Sequence, residues 1–324
     1  GVQTCALPIS LSFERSIAHS SIFLADEKIR EYLKPDFVIV IGRTTLSRSI
    51  NSFISECKNQ YVVDPLAKSI NNQRTATKIY ENLPQLDIRE FSEQYRRDFE
   101  LAAKSCELDL NWSEQYFART FTKNIPDGSA LFIGSSRPIR DIEGFAEPRS
   151  GIEIYANRGL AGIDGNISTI FGIAAKYERT YAVIGDLTFL HDLSALVSPI
   201  DSDCRIFVID NNGGGIFSTL PQAGADEFEK IFGTPHNQNL SKIITGFNIP
   251  NEVIKNESDL KRAIVHPNHG LKIFIVEVPN RNMMAEYLKK IYAKSSNAVR
   301  IGFNLRSEEH TSELQSRQYL VCRL

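Results

Sequence analysis

Two apolar runs that end in polar residues constrain this chain more than any other feature. Val183-Ile184 closes on Gly185-Asp186-Leu187, and Ile206-Phe207-Val208-Ile209 closes on Asp210-Asn211-Asn212-Gly213-Gly214-Gly215-Ile216-Phe217. Both runs read as buried strands of a parallel sheet. Their polar ends then fall at the carboxyl edge of that sheet, where doubly wound folds bind ligands. Asp186 brings a carboxylate to that edge and Asn211 an amide oxygen. Glycines after Asn212 let a backbone carbonyl approach a ligand closely. Hard oxygen donors of this kind suit Mg²⁺ shared with a phosphate group.

Asp186 and Asn211 stand 25 residues apart, room for one crossover helix and a second strand. Each half alone is also compatible with a plain strand–helix joint, with an Asp N-cap or a glycine turn. In order and at this spacing, the two halves resemble the metal–diphosphate motif of thiamine-diphosphate enzymes. That resemblance implies Mg²⁺ (or Mn²⁺) held by Asp186, Asn211 and the carbonyl of Gly213. Leu187 stands where most of that superfamily has glycine, which narrows the choice of family.

The rest of the chain alternates strands with helices. Asp36–Gly42, Leu46–Cys57 and Gln60–Val63 read as a βαβ unit, with a helical segment at Asp26–Leu33 before it. The charged stretch from Gln73 to about Asn111 reads as helix and connection, with a domain boundary near Phe91. A second series follows: helix Glu114–Thr122, strands Ala130–Gly134 and Ile152–Tyr155, helix Ile163–Lys176, the two motif strands, strand Leu271–Val278 and helix Met283–Tyr292. This pattern predicts an α/β protein of two doubly wound parallel-sheet domains, residues 10–90 and 91–305.

Residues 1–9 and Arg306–Ser316 read like the two strands of one sequencing adapter in translation. Both ends, 1–9 and 306–324, are therefore expected to be disordered and to take no part in the fold.

The net charge of −2 gives no nucleic-acid or membrane surface. No apolar run approaches the roughly 20 residues of a membrane span. Glu14 and Arg15 interrupt Ile9–Leu24, so that segment is no signal peptide. Cys57, Cys106 and Cys204 are widely spaced with no CxxC, which supports neither zinc nor a disulfide framework and leaves a reducing cytoplasm as the expected compartment.

Three arginine-bearing turns each follow a strand: Gly42–Arg48, Gly134–Arg140 and Asn157–Gly165. In the last, a helix N-terminus would point at a ligand with Arg158 beside it, or Asp164 would cap that helix. Arginine forks bind carboxylates bidentately, so convergence of Arg48, Arg140 and Arg158 would suit a polyanionic substrate. His191 reads as a structural helix residue and His236 as a weaker catalytic candidate than the arginines. Neither has a Ser or Cys partner at a recognisable spacing, and there is no P-loop.

Ser-Ser-x-Pro-Ile-Arg-Asp at 135–141, Asn-Arg-Gly-x-x-Gly-Ile-Asp-Gly at 157–165, Gly-Asp-Leu-x-Phe-x-His-Asp at 185–192 and Asn-Asn-Gly-Gly-Gly-Ile-Phe-Ser at 211–218 occur in this order. Together with Gly42–Arg48 they resemble the MenD family, the 2-succinyl-5-enolpyruvyl-6-hydroxy-3-cyclohexene-1-carboxylate synthases of menaquinone biosynthesis. The resemblance implies a transferase that uses thiamine diphosphate and Mg²⁺, decarboxylates 2-oxoglutarate and adds the carbanion to isochorismate. It implies a cofactor site at Gly185, Asp186, Leu187, Asn211, Gly213, Gly214 and Ile216, with Ile163 propping the bent cofactor. Ser136, Arg140 and Arg158 would bind substrate, Arg48 would help from the central domain, and Phe217 would line the pocket. Some family members carry Lys where Ser47 stands. The family has an N-terminal pyrimidine-binding domain, which this chain is expected to lack, and its active site forms between subunits of a dimer or tetramer. The chain by itself is then expected to be inactive and to self-associate. Another thiamine-diphosphate decarboxylase, an acetolactate synthase or a non-catalytic binding fragment are the alternatives.

Overall fold

The computed structural model describes residues 2–3, 16–42, 46–64, 75–84, 93–106, 110–305 and 319–323. The chain forms two compact units: residues 1–109, 147–149 and 290–324, and residues 110–146 and 150–289. The expected boundary at Phe91, and Arg43, Thr44 and Thr45 of the first arginine turn, lie outside the described residues.

The first unit contains β1 (Val2–Gln3), α1 (Ser20–Phe23), α2 (Glu27–Tyr32), β2 (Phe37–Ile41), α3 (Arg48–Glu56), β3 (Asn59–Val63), β4 (Lys78–Tyr80) and α4 (Glu93–Ser105). β2, β3 and β4 pair in parallel, with Phe37 opposite Asn59 and Tyr61 opposite Lys78. Ser47 starts α3 by accepting a hydrogen bond from Ile50 N at 3.3 Å. The apolar face of α3 buries Ile50, Phe53 and Ile54. Phe53 and Phe23 each meet Phe99 edge-on, at 6.0 and 5.9 Å between centroids.

The termini depart from the expectation in part. Tyr319–Arg323 forms a strand parallel to β2, with Leu320 opposite Val38, and β1 pairs with its outer side. An uncovered edge of β2 would leave a row of backbone N–H and C=O groups unpaired, and any run of strand-forming residues can satisfy them.

The second unit contains α5 (Glu114–Asn124), β5 (Ser129–Ile133), α6 (Arg137–Phe145), β6 (Ile152–Tyr155), α7 (Asn166–Ala174), β7 (Arg179–Gly185), α8 (Asp186–His191), β8 (Asp203–Asp210), α9 (Leu240–Gly246), β9 (Asn251–Ile254), α10 (Glu257–Val265), β10 (Leu271–Glu277) and the start of α11 (Arg281–Gly302). Its sheet is wholly parallel, in the order β6-β5-β7-β8-β10-β9. The edge strand β9 was not among the expected elements; its Asn-Glu start hides it from a search for apolar runs.

Alternation along each strand sends side chains to two buried faces. Ala182, Ile184, Ile206, Val208, Ile273 and Ile275 join Ile167 and Ile170 of α7 and Ile244 of α9 in one core. The other face carries Phe207, which stacks on Phe274 at 4.7 Å and meets Phe121 of α5 at 4.8 Å. The strand order reverses between β5 and β7. The turns after β5, β7 and β8 therefore open on one crevice at the carboxyl edge.

No described helix is long and apolar enough to cross a membrane.

Candidate functional site

A cavity of about 380 Å³ lies at this switch point, within the second unit. Ser136, Arg140, Arg158, Ile163, Gly185, Asp186, Leu187, Asn211, Gly213, Gly214, Ile216 and Phe217 all line it. Arg48 belongs to the other unit, where it is the first residue of α3.

Asp186 is the first residue of α8, directly after β7, and is 2% exposed. Its Oδ1 accepts from Leu187 N at 2.6 Å and its Oδ2 from Gly213 N at 2.8 Å. Asn211, directly after β8, is 6% exposed. Its Nδ2 donates to Glu114 Oε1 at 2.5 Å, while its Oδ1 is buried without a hydrogen-bond partner among the described residues. A buried amide oxygen left unpaired is costly unless something absent from the chain completes it.

The glycines answer to two different demands. Gly213 has φ +132°, and a Cβ there would stand 2.2 Å from the carbonyl oxygen of Gly233. At Gly214 a Cβ would stand 2.3 Å from the carbonyl oxygen of Phe232. This turn is thus pressed against the returning 229–234 segment, and Gly214 N donates to Gly233 O at 2.8 Å. Close backbone packing, rather than ligand approach alone, accounts for glycine there. Gly185 is the opposite case: a Cβ would meet nothing within 4 Å, so that space is open to a ligand.

Arg281, at the start of α11, holds the same turn. Its Nη1 donates to Asn212 O at 2.5 Å, and its guanidinium pairs with Glu229. His236, just after the returning segment, reaches Asp186, with Nε2 3.2 Å from Asp186 Oδ2 and 3.6 Å from Asp210 Oδ1. The hydrogen bond to Asp186 raises the imidazole above its ordinary pKa. Asp186, Asp210 and His236 form a cluster spaced for a cation, although neither Asp210 nor His236 lines the cavity.

On the β5 side, Ser136 precedes α6 at φ 72° and ψ −128°, a conformation that costs a non-glycine residue and is often found at functional sites. Arg140 Nη1 donates to Ser136 O at 2.7 Å, closing the turn. Arg137 is committed elsewhere: it pairs with Asp141 and lies 3.7 Å from Glu114 Oε2. Burial, with Asp141 nearby, pushes the Glu114 carboxyl up to about 7.

On the β6 side, Arg158 lines the cavity and makes no hydrogen bond or ion pair among the described residues. The α7 N-terminus is not open to a ligand as expected. Asp192 Oδ2 accepts from Ile167 N at 2.7 Å and Ser168 N at 3.3 Å. Asp164 does not cap the helix either; Gly165, at φ +66°, holds the N-cap position. His191 is exposed at the end of α8.

Glu114 and Arg281 escaped the sequence reading, while Arg137 and Asp141 stand inside the 134–141 stretch without a role assigned to them. Glu114 reads simply as the start of a helix, Arg281 lies just before the helix expected from Met283, and the Asn211 contact spans 97 positions.

Comparison with protein-family models finds no match. Curated proteins do match. The chain is 32% identical over 257 residues to the 2-succinyl-5-enolpyruvyl-6-hydroxy-3-cyclohexene-1-carboxylate synthase of Thermobifida fusca, covering 74% of this chain and 46% of that protein. It is 36% identical over 237 residues to the synthase of the same name from Lysinibacillus sphaericus, covering 65% and 41%. The corresponding Oceanobacillus iheyensis protein is 32% identical over 279 residues, covering 79% and 48%. The matched region includes only part of each relative, so the chain spans about half the length of the curated relatives it matches. With its parallel α/β units and this run of similarity, the chain belongs to the MenD family, the 2-succinyl-5-enolpyruvyl-6-hydroxy-3-cyclohexene-1-carboxylate synthases.

Proposed function

We propose that this chain is the central and cofactor-binding part of a thiamine-diphosphate- and Mg²⁺-dependent synthase of menaquinone biosynthesis, acting on 2-oxoglutarate and isochorismate. The observation that carries this reading is the pairing of Asp186 with the unpartnered Asn211 Oδ1 on one cavity wall. The residues fit the group. A buried carboxylate, an amide oxygen and the Gly213 carbonyl are hard donors for a divalent cation. The open space beside Gly185 would take a diphosphate.

Bound thiamine diphosphate supplies an electron sink for loss of CO₂ from a 2-oxoacid. The chain's own residues bind and enclose. Arg158, without a partner among the described residues, and Arg140 would grip substrate carboxylates. Ser136 would offer a hydroxyl beside them. Ile163, Ile216 and Phe217 give the cavity apolar wall that keeps water away. A pyrimidine-binding domain and a homo-oligomeric partner would complete the site.

Calorimetric titration of Mg²⁺ and thiamine diphosphate tests the reading. Binding that requires the metal and disappears in Asp186→Ala is expected. Equal affinity in that variant would sink the assignment.

A further inference from the structure

We infer that Glu114 is a positioning residue that fixes which way the Asn211 amide points, so that its oxygen and not its nitrogen is presented for the divalent cation. The inference rests on the proposed metal–diphosphate site and adds to it a residue from a different element, 97 positions upstream.

An asparagine amide is pseudo-symmetric, and nothing in its own geometry selects oxygen over nitrogen. At Asn211 the selection comes from the surroundings. Glu114 is 4% exposed and begins α5, whose first turn is capped by the Ser113 hydroxyl on Tyr116 N at 3.0 Å. Its Oε1 takes a hydrogen bond from Asn211 Nδ2, and its Oε2 faces Arg137 Nε at 3.7 Å. In its ionised form, which Arg137 and the Asn211 hydrogen bond favour and which prevails above about pH 7, the carboxylate only accepts and repels an amide oxygen, so the NH₂ end sits against it. The amide nitrogen lies in the space that a side chain at Gly215 would need, since a Cβ there would stand 2.6 Å from Asn211 Nδ2. With the nitrogen held, Oδ1 is left buried and unpartnered in a residue that lines the cavity. Asn211 follows β8 directly, so its backbone is fixed by the sheet and its side-chain orientation remains for Glu114 to set.

The test uses the chain as it stands, with Mn²⁺ plus thiamine diphosphate as the probe. Electron paramagnetic resonance counts bound Mn²⁺, and melting without metal reports the fold. Glu114→Leu should weaken Mn²⁺ binding about tenfold or more, the cost of losing a hydrogen bond to a charged group. Glu114→Gln, whose carbonyl oxygen can accept the same amide hydrogen, should stay within about threefold of wild type. A merely structural role would lower the melting temperature of both without separating their metal affinities. Asp186→Ala is the control. No Mn²⁺ binding by wild type, or equal binding by Asp186→Ala, overturns the metal site and this inference with it. Binding that is lost in Asp186→Ala but undiminished in Glu114→Leu overturns the inference alone. If Glu114→Leu does not fold, ¹⁵N spectra of wild type decide. The Asn211 side-chain amide should stay protected from solvent exchange in the Mg²⁺-loaded protein, and free exchange would overturn the role.

Discussion

Asp186 Oδ2 accepts a hydrogen bond from the backbone N–H of Gly213 at 2.8 Å, which ties the end of β7 to the turn after β8. The two halves of the sequence motif are thus joined by a direct contact. The carboxylate serves the turn as well as any cation. Asp186→Asn and Asp186→Ala should therefore differ. Both remove the charge and should abolish metal-dependent binding of thiamine diphosphate. Asp186→Asn can still accept from Gly213 N and should melt closer to wild type, the difference being about 1 kcal/mol. Differential scanning fluorimetry beside calorimetry separates the two effects, and identical melting of both variants would show that the tie is without consequence.

Gly185 and Gly213 make a contrasting pair. Gly213→Ala puts a Cβ 2.2 Å from Gly233 O at φ +132° and should cost roughly 1–3 kcal/mol of stability. Gly185→Ala meets no neighbour within 4 Å and should leave melting unchanged. It should nevertheless weaken diphosphate binding, because the methyl group would enter the space that the proposed diphosphate occupies. A Gly185→Ala protein that binds thiamine diphosphate like wild type would refute the placement of the cofactor there.

Arg158 has no internal partner among the described residues, so its removal should spare the fold. Arg158→Ala should change stability by less than about 0.5 kcal/mol. In a protein of the relatives' full length, the same change should cost ~2–5 kcal/mol of transition-state binding, read as kcat/KM for 2-oxoglutarate and isochorismate. Unchanged kinetics would make Arg158 an ordinary turn residue.

The buried thiols give a pH dependence. Burial pushes Cys106 and Cys204 up to about 12, above the 9.0 of a free thiol. A group whose pKa is raised on folding adds stability below its unfolded value and loses it as pH climbs through the folded one. Native stability should therefore fall between about pH 9 and 12, and Cys204→Ala should flatten part of that slope. Near pH 8 neither thiol should react with iodoacetamide until the protein unfolds. Rapid labelling of Cys106 or Cys204 in the native chain at that pH, read by peptide mapping, would contradict the burial.

The α/β class and the motif residues after β5, β6, β7 and β8 were legible in the sequence, for a physical reason. Parallel strands buried on both faces must be continuous apolar runs, as at Ile206–Ile209, and the polar residues that end them mark the carboxyl edge. Glycine turns at 213–215 announce themselves in the same way, because backbone demands are local. What stayed hidden is whatever depends on partners distant in the chain. His236 gains its place only because the 229–237 segment folds back over the glycine turn. Glu114 gains its place only because α5 packs where its first residue meets Asn211. Asp192, which reads as one more residue of the Gly-Asp motif, occupies the helix N-terminus that local rules assigned to a ligand. Sequence alone determined which polar residues end the strands and which edge of the sheet carries them, since those follow from periodicity and residue chemistry. Tertiary structure alone decided which donors are already satisfied and which, like Asn211 Oδ1, are left to receive something else, because satisfaction is a property of neighbours that the order of residues does not encode.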